Sequence, residues 1–209
     1  DPRLKPERAL AVDGGVDQWL FDSSAQVSAT VFYTDLTETI IFDFANFPPN
    51  DPFGRFGGYR NSGGGTAKGV ELSLRASPTA ATSVQVSYTF TDSESETPTI
   101  GDDFFGVLGV SRHMFTIVTS HWITQQLNVT FDMFAASDYS LSPFGAMGRQ
   151  MVFTGPVNAD IVVRYDLPLR SGSSMDLFMK VNNLFNQRPY ENGFLGPGAW
   201  TTGGLRIQY

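Results

Sequence analysis

Apolar and polar residues alternate along most of this chain. Between residues 84 and 90, for example, Val84, Val86, Tyr88 and Phe90 are separated by polar residues. A period of two is typical of a β-strand with one buried face, and the spacing of an amphipathic helix is almost absent. The pattern predicts an all-β, antiparallel protein of about nine strands. They span residues 8–21, 25–42, 60–75, 82–91, 113–121, 126–136, 150–167, 174–185 and 199–209.

The connections between these predicted strands alternate in length. Short turns at 22–24, 77–79, 123–125 and 170–173 alternate with long loops at 43–59, 92–112, 137–149 and 186–198. Long strands with this alternation are typical of a transmembrane β-barrel of the bacterial outer membrane, which has short periplasmic turns and long external loops. By this order the last loop is external and the C-terminus is periplasmic.

Strand number bears on how much of a barrel the chain contains. Complete bacterial barrels have an even number of strands, whereas the pattern gives an odd number and an external start. We therefore expect residues 1–209 to form the C-terminal portion of a larger barrel whose earlier strands are absent from this chain.

Composition narrows the class of protein. A charged fraction of 17% with 13% aromatic residues excludes a disordered chain, and the net charge of −7 argues against a nucleic-acid partner. The absence of Cys excludes disulfides, cysteine zinc sites and thiol nucleophiles. No apolar run approaches the roughly 18 residues of a membrane helix. We predict no cofactor.

Catalytic and metal-binding patterns are also missing from the sequence. His113 and His121 are the two histidines, and a strand separates them by about 26 Å, too far to share a metal. The acidic stretch 92–103 lacks the register of a calcium loop, which favours a solvated acidic loop. Whether this stretch binds calcium stays open. No catalytic residue and no metal site is predicted, and the chain is not expected to be an enzyme.

The long loops hold the candidate ligand-binding residues. Aromatic rings with scattered arginines suit a flat, partly anionic ligand. The predicted residues are Phe47, Arg55, Phe56, Tyr59, Arg60, Arg112, Tyr139, Phe144, Arg149 and Tyr190. The alternative interpretation is that most of these aromatic residues pack the loops together or form the outer aromatic girdle. Trp19, Phe21 and Trp122 lie near the other strand ends, where we expect the inner girdle.

Four groups of residues resemble one known family. They are Leu4–Glu7 with Asp13–Gly15; Val31–Thr34 with Ile40 and Ile41; Tyr59–Asn61 with Lys68–Glu71; and Val181–Asn186 with Tyr190, Gly196–Gly198 and Tyr209. In this order they resemble the C-terminal barrel half of TonB-dependent outer-membrane receptors. Asp13 stands where the family usually has Glu, and Ala199 stands where many members have Arg.

The resemblance implies an architecture, a function and a set of partners. Such receptors close 22 strands around an N-terminal plug, so this chain would supply the last nine. The implied function is active uptake of a large, scarce nutrient, with a ferric siderophore as the favoured cargo and vitamin B12, haem or oligosaccharide still open. Implied partners are the TonB complex, through the missing N-terminal region, and the barrel-assembly machinery, through the C-terminal strand. Membrane lipid and lipopolysaccharide would surround the barrel.

Three other classes of protein remain open from the sequence. A passive channel or structural barrel would need no plug. A barrel enzyme would need a catalytic group containing His113 or His121. A soluble β-sandwich binding module would bury its apolar face against a second sheet.

Overall fold

The computed structural model describes residues 4–43, 54, 57–95, 110–141, 151–169, 173–188, 190–191 and 194–208. Within these ranges the chain forms strands only. They are β1 (Arg8–Leu20), β2 (Ala25–Asp43), β3 (Gly58–Ser62), β4 (Gly65–Thr79), β5 (Thr82–Ser95), β6 (His113–Trp122), β7 (Leu127–Ala136), β8 (Tyr139–Leu141), β9 (Met151–Phe153), β10 (Val157–Pro168), β11 (Ser174–Asn182), β12 (Tyr190–Glu191), β13 (Phe194–Leu195) and β14 (Trp200–Gln208). Among the described residues no helix is long and apolar enough to cross a membrane.

The long strands form one antiparallel sheet. Its order is β1-β2-β4-β5-β6-β7-β10-β11-β14, so each long strand pairs with the next one along the chain. β3 pairs with β2 beyond the end of β4, and β8–β9 and β12–β13 are separate short hairpins. The predicted all-β antiparallel fold is confirmed.

Two of the predicted strands are interrupted near their first residues. The strand expected at 60–75 breaks at Gly63–Gly64, where a Cβ on Gly64 would lie 1.5 Å from the Leu36 carbonyl oxygen. The strand expected at 150–167 breaks at 154–156, where Pro156 has no N–H for a ladder. There the Asp138 carboxylate accepts the Gly155 N–H at 2.8 Å.

One predicted turn is wrong. Residues 77–79 continue β4, and the turn follows at residues 80–81. The register shifts between Ala76 and Thr79, so the sheet accommodates Pro78 in an irregular step of the ladder. The Ser77 N–H donates to the Ser24 carbonyl at 2.8 Å, which keeps this segment attached to the neighbouring turn. Pro78 therefore lies among the last residues of β4 and not in the turn.

The two ends of the sheet differ. The turns after β1, β4 and β6 lie at one end, which we call the turn end, and Leu169 N–H closes on the Ser173 carbonyl at 2.9 Å there. The connections after β2, β5, β7 and β11 lie at the opposite end, which we call the loop end. The predicted separation of short turns from long loops is confirmed.

One face of the sheet is apolar across its whole width. The pairing places one apolar row across five neighbouring strands: Val16, Ala29, Leu72, Tyr88 and Phe115. A second row contains Val129, Val163 and Met179. Among the described residues only Ala25 and Ala159 are buried apolar residues, because no second layer covers this face. A soluble sandwich would cover it, so the described part of the chain does not have that architecture.

The opposite face is polar, and ion pairs form between its own side chains. On it Lys180 Nζ lies 2.7 Å from Asp160, and Arg164 Nε lies 2.9 Å from Asp166. The prediction of an inner girdle is wrong for two residues, because Trp19 pairs with Gln26 and Trp122 with Asn128 on this polar face. The Arg164 guanidinium lies 5.1 Å from the Trp122 ring centre.

Candidate ligand-binding site at the loop end

The predicted ligand-binding residues divide into two halves. Tyr59, Arg60, Arg112, Tyr139 and Tyr190 lie within the described residues. Phe47, Arg55, Phe56, Phe144 and Arg149 lie outside them, so their participation stays a prediction. The described members all lie at the loop end, in three separate groups.

Tyr59 and Arg60 lie on opposite faces of the sheet because they are neighbours on β3. Tyr59 is opposite Phe42, and the two rings meet edge to face with centres 5.3 Å apart. Arg60 is opposite Ile41, and its Nη1 donates to the Asn61 carbonyl at 3.4 Å. The side chains of Tyr59 and Arg60 therefore point to opposite sides of the sheet, so one ligand surface does not use both.

Arg112 belongs to an ion-pair group at the edge of the apolar face. Its Nη2 lies 2.8 Å from the Asp92 carboxylate, and Lys68 Nζ lies 3.6 Å from the same carboxylate. Asp92 is opposite Lys68 and two residues from Phe90, which puts the group on the apolar side of the sheet. The structure therefore directs Arg112 away from the polar face on which a lumen ligand would bind.

Tyr139 and Tyr190 come together as part of an aromatic group. The Phe153 ring stacks on Tyr139 with centres 5.6 Å apart and lies 6.1 Å from the Tyr190 ring. The Tyr139 hydroxyl donates to the Tyr190 carbonyl. This group joins the β8–β9 hairpin to the β12–β13 hairpin, as the loop-packing interpretation predicted. Phe153 was not predicted from the sequence, because its segment reads as part of one continuous strand.

The first family motif connects the N-terminal segment to β3. Lys5 N–H donates to Asn61 Oδ1 at 2.8 Å, and Asn61 Nδ2 donates to the Lys5 carbonyl at 2.9 Å. Glu7 Oε1 accepts the Ile40 N–H at 2.9 Å, and Lys5 Nζ lies 3.6 Å from Glu38. Motif residues far apart in sequence therefore contact one another, and their role in the described part is structural.

The last family motif shapes the segment that follows β11. Asn183 has a φ of 53°, and its side chain accepts the Gln187 N–H at 3.1 Å and donates to the Pro197 carbonyl at 3.0 Å. Asn186 Oδ1 accepts the Ala199 N–H at 2.9 Å. Two asparagine side chains thus hold both ends of this loop over the polar face.

A cleft below this loop was not predicted from the sequence. It has a volume of about 270 Å³ and is lined by Phe134, Asn158, Asp160, Asn182, Pro197 and Trp200. The lining residues come from β7, β10, β11, β14 and the last loop, which no sequence pattern brings together. Asn182 directly follows a motif residue, Val181, but the motif does not show which way its amide faces.

The described residues contain no group of three or more His, Asp or Glu side chains that could hold a metal ion. In the acidic stretch Asp92 is engaged by Lys68 and Arg112, while Glu96, Asp102 and Asp103 lie outside the described residues. His113 and His121 lie near opposite ends of β6, where His113 Nδ1 is 2.8 Å from the Tyr88 hydroxyl and His121 Nδ1 is 2.9 Å from the Thr82 hydroxyl. The predicted separation of the two histidines is confirmed.

The fold and the motif contacts agree with one family. The family model described as "TonB dependent receptor-like, beta-barrel" matches residues 1–184. The chain belongs to the TonB-dependent receptor family, whose members are outer-membrane β-barrels. No curated protein matches the chain.

Solved structures show the same fold. The ferric-catecholate import receptor Fiu from E. coli K12, in its closed form, has a TM-score of 0.67 at 20% identity, covering 98% of this chain and 28% of the receptor. The siderophore receptor PirA from Acinetobacter baumannii has a TM-score of 0.71 at 16% identity, with 98% and 32% covered. The pyoverdine receptor FpvA from Pseudomonas aeruginosa PAO1 has 0.69 at 16%, with 99% and 30% covered. The chain therefore spans less than a third of these receptors.

Proposed function

We propose that this chain is the C-terminal barrel portion of a receptor that takes up a ferric siderophore across the bacterial outer membrane in a TonB-energised step. The observation that carries the proposal is the family match over residues 1–184. The names of the similar structures, which are receptors for a ferric catecholate, a siderophore and pyoverdine, support the cargo class.

The proposed division of labour follows the two ends of the sheet. The loop end faces the medium and captures the cargo, with the Tyr139–Phe153–Tyr190 group as part of its wall. The turn end and the C-terminus face the periplasm. The apolar face contacts lipid and lipopolysaccharide, and the polar face lines the lumen. A plug and earlier strands, outside this chain, complete the receptor and couple it to TonB.

The barrel-assembly machinery is the proposed partner of the C-terminal strand. β14 places Leu205 and Ile207 opposite Leu177 and Met175 on the apolar face, as the alternation predicted. Tyr209 itself lies outside the described residues. We expect replacement of Tyr209 by Ala to lower the amount of folded receptor in the outer membrane.

Uptake of radioactive iron by whole cells tests the function. Deleting the gene in its own bacterium abolishes uptake from at least one ferric siderophore, and a plasmid copy restores it. Loss of TonB reduces uptake to the same level, because transport against a gradient needs energy. Uptake that persists without TonB contradicts the proposal and favours the passive channel.

A further inference from the structure

The cleft below the last loop is lined by both polar and apolar side chains. The polar ones include Asn158, Asp160 and Asn182, and the apolar ones include Phe134, Pro197 and Trp200. It opens on the polar face next to the ends of β11 and β14, at the loop end. Its volume of about 270 Å³ is enough for one ring-sized chemical group.

One polar residue of the lining has a hydrogen-bond donor without an acceptor. Asn182 is only 9% exposed, and its Nδ2 has no hydrogen-bond partner among the described residues. Leaving a buried donor unpaired is unfavourable, so such groups are rare and often mark a place that a ligand or water fills. An oxygen acceptor entering the cleft would satisfy this amide.

Trp200 supplies a ring surface beside this donor. It is opposite Asn182 across the β11–β14 pair, and 51% of it is exposed although it lines the cleft. An indole ring offers a large contact area at a small cost in conformational entropy. A chemical group with both a flat or ring-shaped body and an oxygen acceptor therefore matches Trp200 and Asn182.

Charge selects among the groups with this shape. Asp160 is opposite Asp132, and Lys180 is the one cation that pairs with Asp160 in the described residues. On the polar face of the long strands that the structure describes, carboxylates outnumber cations. The carboxylates are Asp13, Asp17, Glu71, Asp132, Asp160, Asp166 and Asp176, and the cations are Arg75, Arg164, Lys180 and Arg206. An anion in the cleft is repelled by Asp160 and Asp132. Arg188 lies beside Gly198 in the covering loop, but it is not among the residues that line the cleft.

We propose that this cleft is a subsite for a neutral, oxygen-accepting arm of the cargo, such as an amide or hydroxamate carbonyl, with Asn182 as donor and Trp200 as the stacking surface. This inference rests on the proposed uptake of a ferric siderophore. It assigns the receptor to neutral hydroxamate complexes in preference to anionic catecholate complexes.

Binding to the purified full-length receptor in detergent tests the subsite. Quenching of tryptophan fluorescence is titrated with neutral ferric tris-hydroxamates, including ferrichrome, and with ferric tris-catecholates, including ferric enterobactin. We expect at least one neutral complex to bind at least about tenfold more tightly than any catecholate, and Asn182→Asp and Trp200→Ala each to weaken it about tenfold.

Two control variants separate recognition from damage to the fold. Asn128→Ala removes a buried asparagine from the same face at the turn end, where it is bonded to Ser120 and Thr130, and Trp122→Ala removes a tryptophan there. Both should leave the affinity unchanged. Tighter binding of the catecholates, or unchanged affinity in the Asn182 and Trp200 variants, overturns the subsite while siderophore uptake stands. Binding of no complex from either set counts against the proposed function itself.

Discussion

Two glycines of the polar face lie beneath aromatic rings of neighbouring strands. A Cβ on Gly69 would lie 2.7 Å from the Phe32 ring and 1.9 Å from the Phe90 carbonyl oxygen. A Cβ on Gly204 would lie 2.8 Å from the Phe178 ring. In each pair the ring covers backbone that a side chain would otherwise cover, so the glycine is required by the close approach of its neighbours.

Gly69→Ala should therefore destabilise the receptor. The added methyl group meets backbone on one side and a ring on the other, and overpacking of this kind costs about 1–3 kcal/mol. The measurement is the urea midpoint of the full-length protein in detergent micelles. Gly14→Ala is the matched control, because a Cβ at that strand position has no neighbour within 4 Å. Equal losses in the two variants would contradict the close contact as the cause, since alanine is otherwise more favourable than glycine in a strand.

The limits of sequence reasoning are clearest for single side chains in the loops. Alternation assigns a face to residues inside a strand, and the register agrees with it for Val70, Glu71 and Leu72. Alternation assigns no face to a residue beyond the end of a strand, such as Arg112, whose side chain turns toward Asp92. Trp122 was placed in the girdle by its height alone, although its odd spacing from Phe115 and Ile117 on the apolar face already put it on the polar face. The sequence shows which loop residues are arginine or aromatic, but it does not show which of them come together.

At the scale of elements, strands and turns were predictable because both leave local signals. The period of two located the strands along the chain, and polar turn residues set most of their boundaries. Pro78 was misleading, since a proline in the last residues of a strand looks like a turn. The small hairpins β8–β9 and β12–β13 have too few residues for a pattern, and their ring contacts depend on residues 14 or more positions apart.

The loop after β11 offers a prediction about two asparagines. Asn183→Ala removes the acceptor of the Gln187 N–H and puts alanine, which adopts left-handed backbone less readily than asparagine, at a φ of 53°. The Gln187 amide should therefore exchange with solvent about tenfold faster. Asn183→Gly tolerates the backbone angle but lacks the hydrogen bonds, so it should show most of the same effect. Hydrogen exchange measured by mass spectrometry on the full-length receptor follows both.

Asn186→Ala is the matched control in this loop. Its side chain accepts the Ala199 N–H, so that amide, and not the Gln187 amide, should lose protection. If both substitutions release both amides together, the two asparagines act as one cooperative unit and the separate assignment of their hydrogen bonds is wrong.

At the scale of the whole molecule, the sheet has one apolar face, one polar face and two unlike ends. A single layer with an uncovered apolar face is stable where lipid replaces the missing second layer. β1 and β14 each pair with one neighbour within the described residues, so their outer edges are available to further strands. In the proposed receptor those strands belong to the remainder of the barrel, and this fixes which way each end points.

Orientation is tested by labelling single cysteines in intact cells. The chain has no Cys of its own, so Val110→Cys at the loop end and Ile123→Cys at the turn end introduce unique sites in a full-length receptor freed of any other cysteine. Both residues are exposed, at 41% and 57%. A membrane-impermeant maleimide should label the cysteine at 110 in intact cells and the one at 123 only after the outer membrane is opened. The reverse result would place the long loops in the periplasm, where they could not capture a nutrient from the medium.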